Sequence, residues 1–191
     1  MDQPSYQAAL QPYLLEGERT IWTGQPDPSR LVSSGDWYLV PFSLMWGGFA
    51  IFWEASALGI FNSFKGGAPL LLALFGVPFA VIGQYLIWGR FFYKRWDRKR
   101  TIYAVTTQRI LILRRSRLQA LFVAQLPPIT QSTRGDASGS LVFGIAPFGH
   151  WGNNGMEWFG RHQGPPAFYD IPDVMRVYRL IADAQRPPIP K

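Results

Sequence analysis

The sequence predicts a membrane protein of the α+β class, in which a two-helix transmembrane hairpin is combined with a small antiparallel β-sheet domain that a C-terminal helix closes. Three observations predict this fold. Two long apolar stretches occupy residues 37–61 and 69–89, short β-patterned segments fill residues 101–143, and an amphipathic segment spans residues 171–185. The composition agrees, because 48% of the residues are apolar and only 16% are charged, well below the usual level in a soluble domain.

Each apolar stretch is long enough to cross a bilayer as a helix, since about 20 apolar residues span a hydrocarbon core about 30 Å thick. The first stretch carries one charge, Glu54, and the second carries none. Two buried core helices are the alternative, but a chain of 191 residues has too little polar surface to cover both. Glu54 is expected near the outer end of its helix, where its carboxylate can reach water, with a proton relay as the alternative.

The distribution of positive charge predicts the orientation of this hairpin. The short connection at residues 62–68 offers only Lys65, whereas a dense basic run follows the second stretch. By the positive-inside rule, both termini lie in the cytoplasm, and the chain is a multi-pass protein of a bacterial inner membrane. The predicted organisation is an N-terminal cytoplasmic segment, the hairpin, a cytoplasmic domain and a proline-rich tail, at residues 1–36, 37–92, 93–185 and 186–191.

The cytoplasmic domain is predicted to be built from antiparallel strands. β-Branched and aromatic residues recur in short runs that are separated by turn residues such as Thr107-Gln108 and Arg115-Ser116. Residues 18–24 alternate in the same way and lie on the same side of the membrane, so they are expected to join the same sheet. The other predicted strands are 101–106, 109–114, 118–124, 129–133, 141–143 and 167–169.

The last predicted element is an amphipathic helix over residues 171–185. Its apolar residues recur at helical spacing and make one stripe that would cover the open end of the sheet. Asp170 is the expected N-cap, and Arg186-Pro187-Pro188 ends the helix. The stripe consists of Val174, Val177, Tyr178 and Ile181.

Three segments together carry a resemblance to a known family. GERTIWTGQP at residues 17–26, YAVTTQRILI at 103–112 and FYDIPD at 168–173 are arranged around the two apolar stretches as in the bacterial PH-domain-containing membrane proteins, which the chain resembles over roughly residues 16–185. This resemblance implies a PH-like antiparallel β-barrel capped by its C-terminal helix. The phosphoinositide pocket of eukaryotic PH domains is not carried over, because the corresponding loop at residues 25–30 offers only Arg30 beside one aspartate, Asp27.

The strongest candidate binding feature is the basic run after the second apolar stretch, which is interleaved with aromatic residues. Juxtamembrane cations gain about 1 kcal/mol each from anionic lipid, so the run predicts contact with anionic phospholipid headgroups. The simpler and favoured interpretation is that the run only sets the orientation of the hairpin in the membrane. Arg114, Arg115 and Arg117 form a second cluster at a strand turn. The candidate lipid-contact residues are Arg90, Lys94, Arg95, Arg98, Lys99 and Arg100.

Nucleic acid is not an expected partner. The net charge of +7 would suit it, but the cations gather at the membrane end of the chain, and no nucleic-acid-binding module is visible.

An aromatic, glycine-rich loop at residues 144–166 is the second candidate. Trp151, Trp158 and Phe159 are the candidate interface or partner residues. Packing inside the domain is the first interpretation, followed by docking in the lipid headgroup layer and then by contact with a partner protein.

The sequence predicts no catalytic residue, no metal site and no cofactor. His150, Glu157 and His162 match no metal-binding or acid–base motif. The chain has no cysteine, and it contains neither a phosphate-binding loop nor a nucleophile elbow.

The expected function is therefore binding rather than catalysis. The chain would be a non-enzymatic, membrane-anchored PH-like module that binds a partner protein, anionic phospholipid, or both at the cytoplasmic face. Anchoring would raise the effective concentration of a weak contact. The alternative is an accessory structural subunit of a larger membrane protein complex.

Overall fold

The computed structural model of the chain describes residues 3–32, 36–60, 70–145 and 164–186. These residues form an α+β structure with two antiparallel sheets. A π-helical turn at Tyr85–Gly89 joins α3 to α4, and short 3₁₀ turns lie at Gln11–Tyr13 and Val123–Gln125. The helices are α1 Gln3–Leu10, α2 Asp36–Ala57, α3 Leu70–Gln84, α4 Arg90–Arg98 and α5 Val174–Gln185; the strands are β1 Thr20–Gly24, β2 Thr101–Thr106, β3 Arg109–Arg114, β4 Arg117–Phe122, β5 Ile129–Thr133, β6 Gly139–Phe143 and β7 Ala167–Ile171.

The chain divides into two compact units. The first comprises residues 1–30, 95–150 and 161–191 and holds both sheets together with α1 and α5. The second comprises residues 31–94 and 151–160 and holds α2 and α3. The division falls inside α4, between Lys94 and Arg95.

Within the first unit, β1–β4 form a four-stranded sheet and β5–β7 a three-stranded sheet, each in chain order. The expected strands at 101–106 and 109–114 are confirmed residue for residue, and the N-terminal strand joins the same sheet as predicted, where it pairs with β2. Several predicted ends are wrong. The strand expected at 118–124 stops at Phe122, because the chain turns there and carries Val123 into the core. The strands expected at 18–24, 141–143 and 167–169 are Thr20–Gly24, Gly139–Phe143 and Ala167–Ile171.

The main core of the first unit is centred on Phe168, a fully buried residue of β7. The ring of Phe168 stacks on Tyr103 with centroids 4.6 Å apart, and Phe143 meets it edge-on at 5.3 Å. Val174, Val177 and Ile181 of α5 pack into the same cluster, as the helical stripe predicted. Tyr178 was expected in that stripe but is 37% exposed, because it lies at the margin of the buried face.

A second cluster explains why β2 and β3 are buried along almost their whole length. Leu10 at the end of α1 packs with Leu111 and Leu113, and Tyr6 and Leu14 lie against them. Both faces of the sheet are therefore covered, which is the condition under which strands become continuously apolar rather than alternating. α1 is not predictable from the sequence, because its eight residues carry no strong apolar period.

The start of α5 differs from the expectation. Asp170 lies in β7 with a backbone φ of 48°, and α5 begins at Val174. The Asp170 N-cap prediction is therefore wrong. The carbonyl of Ala137 accepts the Val174 N–H at 3.1 Å instead, so the turn before β6 satisfies one of the free donors at the start of the helix.

In the second unit, α2 and α3 pack against each other through small residues. A Cβ placed on Gly83 would lie 3.0 Å from the Cα of Gly47, so the two backbones approach closely at this point. Small residues permit this approach between apolar helices. Trp46 and Phe79 pack beside it, with ring centroids 6.1 Å apart.

Among the described residues, the continuous helical segment Leu74–Arg98 is the one that length and composition qualify to cross a membrane. It covers most of the second apolar stretch. The first stretch coincides with α2, which has 22 residues. The two-helix transmembrane hairpin stays a prediction.

Candidate basic and aromatic interface

The helical period of α4 separates the six candidate lipid-contact residues into two groups. Arg90, Lys94 and Arg98 recur every four residues and therefore share one face, since an α-helix has about 3.6 residues per turn. All three are buried, each 1% exposed. The other three, which lie on the rest of α4 or just beyond its end, are exposed: Arg95, Lys99 and Arg100.

Arg90 and Lys94 both contact the carboxylate of Asp36, the first residue of α2. Arg90 Nη1 lies 2.6 Å from Oδ1, and Lys94 Nζ lies 3.7 Å from Oδ2. Lys94 also donates to the carbonyl of Leu31 at 2.7 Å. Both cations thus contact polar groups inside the second unit rather than solvent.

In the first unit, Arg98 donates hydrogen bonds to the loop after β1 and to β7. Its Nη1 donates to the carbonyl of Asp27 at 2.7 Å, and its Nη2 donates to Asp170 Oδ2 at 2.5 Å. Arg134 bonds the other oxygen of Asp170. Asp170 therefore holds two arginines, one buried and one 44% exposed.

The adjoining loops are also balanced in charge. Arg30 bridges Asp27, at 3.2 Å, and Asp136. Hydrogen bonds from Ser138 and Arg30 lower the pKa of Asp136 to about 2, and a hydrogen bond from Ser29 lowers the pKa of Asp27. This region offers no surplus of positive charge, since three arginines meet three aspartates: Arg30, Arg98 and Arg134 with Asp27, Asp136 and Asp170.

Two exposed cations, Arg100 and Arg115, lie against Trp96 instead. The guanidinium carbons of Arg100 and Arg115 each lie 4.2 Å from its ring centroid, and the ring remains 41% exposed. The N–H of Arg115 bonds the carbonyl of Arg100 at 3.0 Å, which ties the β3–β4 turn to the end of α4. We define the basic–aromatic surface as Arg95, Trp96, Lys99, Arg100, Arg115 and Arg117, all exposed.

One acid opposes this positive charge among the described residues of the same segment. Asp97 is buried, pairs with Arg114 and lies 3.4 Å from Arg115. Residues 95–117 therefore carry five exposed cations, two of which flank an exposed amphipathic ring. Such a surface suits a layer of phosphate groups next to apolar chains, where indole rings and arginine stems are both favourable.

The remaining candidates from the sequence are placed less fully. Trp151, Trp158 and Phe159 lie outside the described residues, as do His150, Glu157 and His162. Glu54 lies in the last turn of α2, and a Cβ placed on Gly76 of α3 would lie 2.5 Å from its Oε1. Within the described ranges, no three acidic or histidine side chains gather as a metal site.

Sequence reasoning found the exposed cations but did not separate them from the buried ones. The four-residue spacing of Arg90, Lys94 and Arg98 was the available signal, because it places three charges on one helical face. From the sequence, Arg115 and Arg117 were expected only as part of a separate cluster.

In comparisons with known proteins, no family model, curated protein or solved structure matches this chain.

Proposed function

We propose that this chain is a non-enzymatic, membrane-anchored module whose basic–aromatic surface binds anionic phospholipid headgroups at the cytoplasmic face of a bacterial inner membrane. One observation carries the proposal. Trp96 is held between Arg100 and Arg115 on an exposed surface whose positive charge is opposed by Asp97 alone within the described part of that segment. Phosphate groups would supply the missing negative charge.

The exposure of apolar side chains supports the membrane anchor. Leu44 and Phe49 of α2, and Leu74, Phe75 and Val81 of α3, are each more than half exposed. In the most apolar window of Leu74–Arg98, only 22% of the residues are buried, which is unlike the core helix of a soluble protein. A hydrocarbon environment would remove this apolar area from water.

The order of strands supports a PH-like fold for the first unit. Four antiparallel strands, three further antiparallel strands and a C-terminal helix follow one another in the chain, as a PH-like barrel requires. The N-terminal motif and the motif after the second apolar stretch contribute neighbouring strands, β1 and β2. The PH-like assignment rests on this order and on the sequence resemblance.

Lipid retention by the full chain tests the binding role. The protein is purified in mild detergent with phosphatidylglycerol and phosphatidylcholine, and the bound lipids are counted by native mass spectrometry. Arg100→Gln combined with Arg115→Gln should lower retention of the anionic lipid roughly 30-fold, at about 1 kcal/mol for each cation. Retention of the neutral lipid should not change.

A matched control separates local contact from total charge. Arg176→Gln combined with Arg179→Gln removes the same charge from the exposed side of α5 and should leave retention unchanged. Equal losses in both double variants, or no loss in either, would overturn the proposed lipid site. A stable protein complex in the same spectra, with no anionic lipid, would favour the accessory-subunit alternative.

The predicted topology can be tested directly because the chain has no cysteine. Single cysteines are introduced as Gln7→Cys, Ser63→Cys and Ser116→Cys, and intact spheroplasts are treated with a membrane-impermeant maleimide. We expect labelling of the Ser63→Cys variant alone, since residues 62–68 form the predicted outer connection. External labelling at position 7 or 116 would contradict the orientation.

A further inference from the structure

Arg90 is a buried cation with two unused hydrogen-bond donors. Its side chain is 1% exposed, and its Nη1 is bonded to Asp36 Oδ1 at 2.6 Å. Its Nε and Nη2 are buried and have no hydrogen-bond partner. A buried charged group whose donors are left unsatisfied is costly, so this arrangement calls for an explanation.

We propose that Arg90 and Lys94 form a buried binding site for a phosphate group. The free atoms of Arg90 are the reason for this ligand. Nε and Nη2 lie on the same edge of the guanidinium and can donate two parallel hydrogen bonds to two oxygens of one tetrahedral or planar oxyanion. Such an oxyanion gives each donor its own acceptor oxygen, whereas a monatomic anion would have to be shared by both donors.

The electrostatics around Arg90 also favour an anion. Arg90 and Lys94 both contact one carboxylate, that of Asp36. Among the described residues of this unit, the other acid is Glu54, which lies 18 residues further along α2, about 27 Å away along the helix axis. The N-terminus of α2 at Asp36 adds a partial positive charge of its own.

The guanidinium is oriented by its neighbours. Nη1 is held by Asp36, and the guanidinium carbon lies 4.5 Å from the ring centroid of Phe91. The π-helical turn at Tyr85–Gly89 directly precedes Arg90. A turn with one extra residue rotates the following helix, and such turns are frequent at functional sites. The edge that carries Nε and Nη2 is therefore held in place rather than left to a mobile side chain.

The phosphate could belong to a phospholipid headgroup or to a free phosphate ion, since both present the same oxygens. This site uses no residue of the basic–aromatic surface. The two proposals therefore fail separately, because Arg90 variants report on one and Arg100 with Arg115 on the other.

The test compares two arginines in the full chain. Arg90→Lys keeps the positive charge but loses the two-donor edge, and Arg176→Lys makes the same change on the exposed side of α5. Binding of inorganic phosphate to delipidated protein is measured by ³¹P NMR titration, with potassium chloride at matched ionic strength. Retention of phosphatidylglycerol is measured by native mass spectrometry on protein that has not been delipidated.

The expected result is at least a 10-fold weaker response in Arg90→Lys and an unchanged response in Arg176→Lys. If the phosphate titration shows this difference, the ligand is a free phosphate; if only lipid retention shows it, the ligand is a headgroup. If neither measurement responds to Arg90→Lys, the proposal is overturned. The contacts of Arg90 and Lys94 with Asp36 then serve only to join α2 to α4. Lys94→Gln serves as the second variant should Arg90→Lys lower the melting temperature of the unliganded protein.

Discussion

Arg109 donates two hydrogen bonds to the carboxylate of Glu18, from Nε to Oε1 at 3.1 Å and from Nη2 to Oε2 at 2.5 Å. Both side chains are buried. Thr106 Oγ1 lies 2.5 Å from Oε1, and the N–H of Leu15 donates to Oε2 at 2.7 Å. One buried carboxylate thus fixes the N-terminal segment to the β2–β3 hairpin and joins the two sequence motifs that flank the apolar stretches.

Removal of this carboxylate should strongly destabilise the first unit. Glu18→Gln leaves Arg109 buried without its counter-ion, and breaking a buried pair costs about 3–5 kcal/mol. Thermal unfolding of the full chain in mild detergent, followed by tryptophan fluorescence, measures the loss. Glu16→Gln is the control, because Glu16 is exposed two residues earlier and its change should stay within about 0.5 kcal/mol. Equal shifts in the two variants would contradict the role of the pair.

The same carboxylate predicts a loss of stability in acid. Burial alone would raise the pKa of Glu18, but hydrogen bonds from Arg109, Leu15 and Thr106 outweigh it and hold the pKa below its usual value. The unfolded chain therefore binds this proton first as the pH falls. The stabilisation is complete above the unfolded pKa of about 4.3 and is lost as the pH falls through the lower folded pKa. Melting temperatures measured from pH 7 down to pH 3 should show a step that Glu18→Gln removes; an identical profile in that variant would exclude this source.

The two arginines on Asp170 should contribute very different amounts to stability. Arg98→Met removes a 1% exposed partner and leaves the Asp170 carboxylate in a buried site, at a cost of about 3–5 kcal/mol. Arg134→Met removes a partner that is 44% exposed, and its cost should stay below about 1 kcal/mol. The difference in unfolding free energy between the variants is the measurement. Similar values would show that burial does not govern this network.

The close approach of α2 and α3 predicts that alanine is tolerated at one glycine of this helix pair and not at another. A methyl group at Gly83 would meet the backbone of Gly47 at 3.0 Å, so Gly83→Ala must force the helices apart. We expect a loss of about 1–3 kcal/mol, as for an overpacked core. Gly48→Ala is the control, because no atom lies within 4 Å of the added methyl group. Melting temperatures in one detergent compare the two, and a tolerated Gly83→Ala would argue against this helix packing.

Much of the fold could be predicted because its signals are local. The β-branched runs at residues 101–106 and 109–114 and the helical stripe of Val174, Val177 and Ile181 are read from neighbouring residues. The expected start of α5 failed because Asp170 is bound by two arginines from distant parts of the chain. Asp170, which has a side chain well suited to an N-cap, therefore lies in β7 instead.

The sequence by itself determined where the strands, the apolar stretches and the concentrated positive charge lie, since composition and period are properties of short segments. Only the tertiary structure decided which cations of α4 face solvent. The partners that bury Arg90 and Arg98 come from Asp36 and Asp170, 54 and 72 residues away. Charge is encoded locally, but its accessibility depends on which carboxylate folding brings beside it.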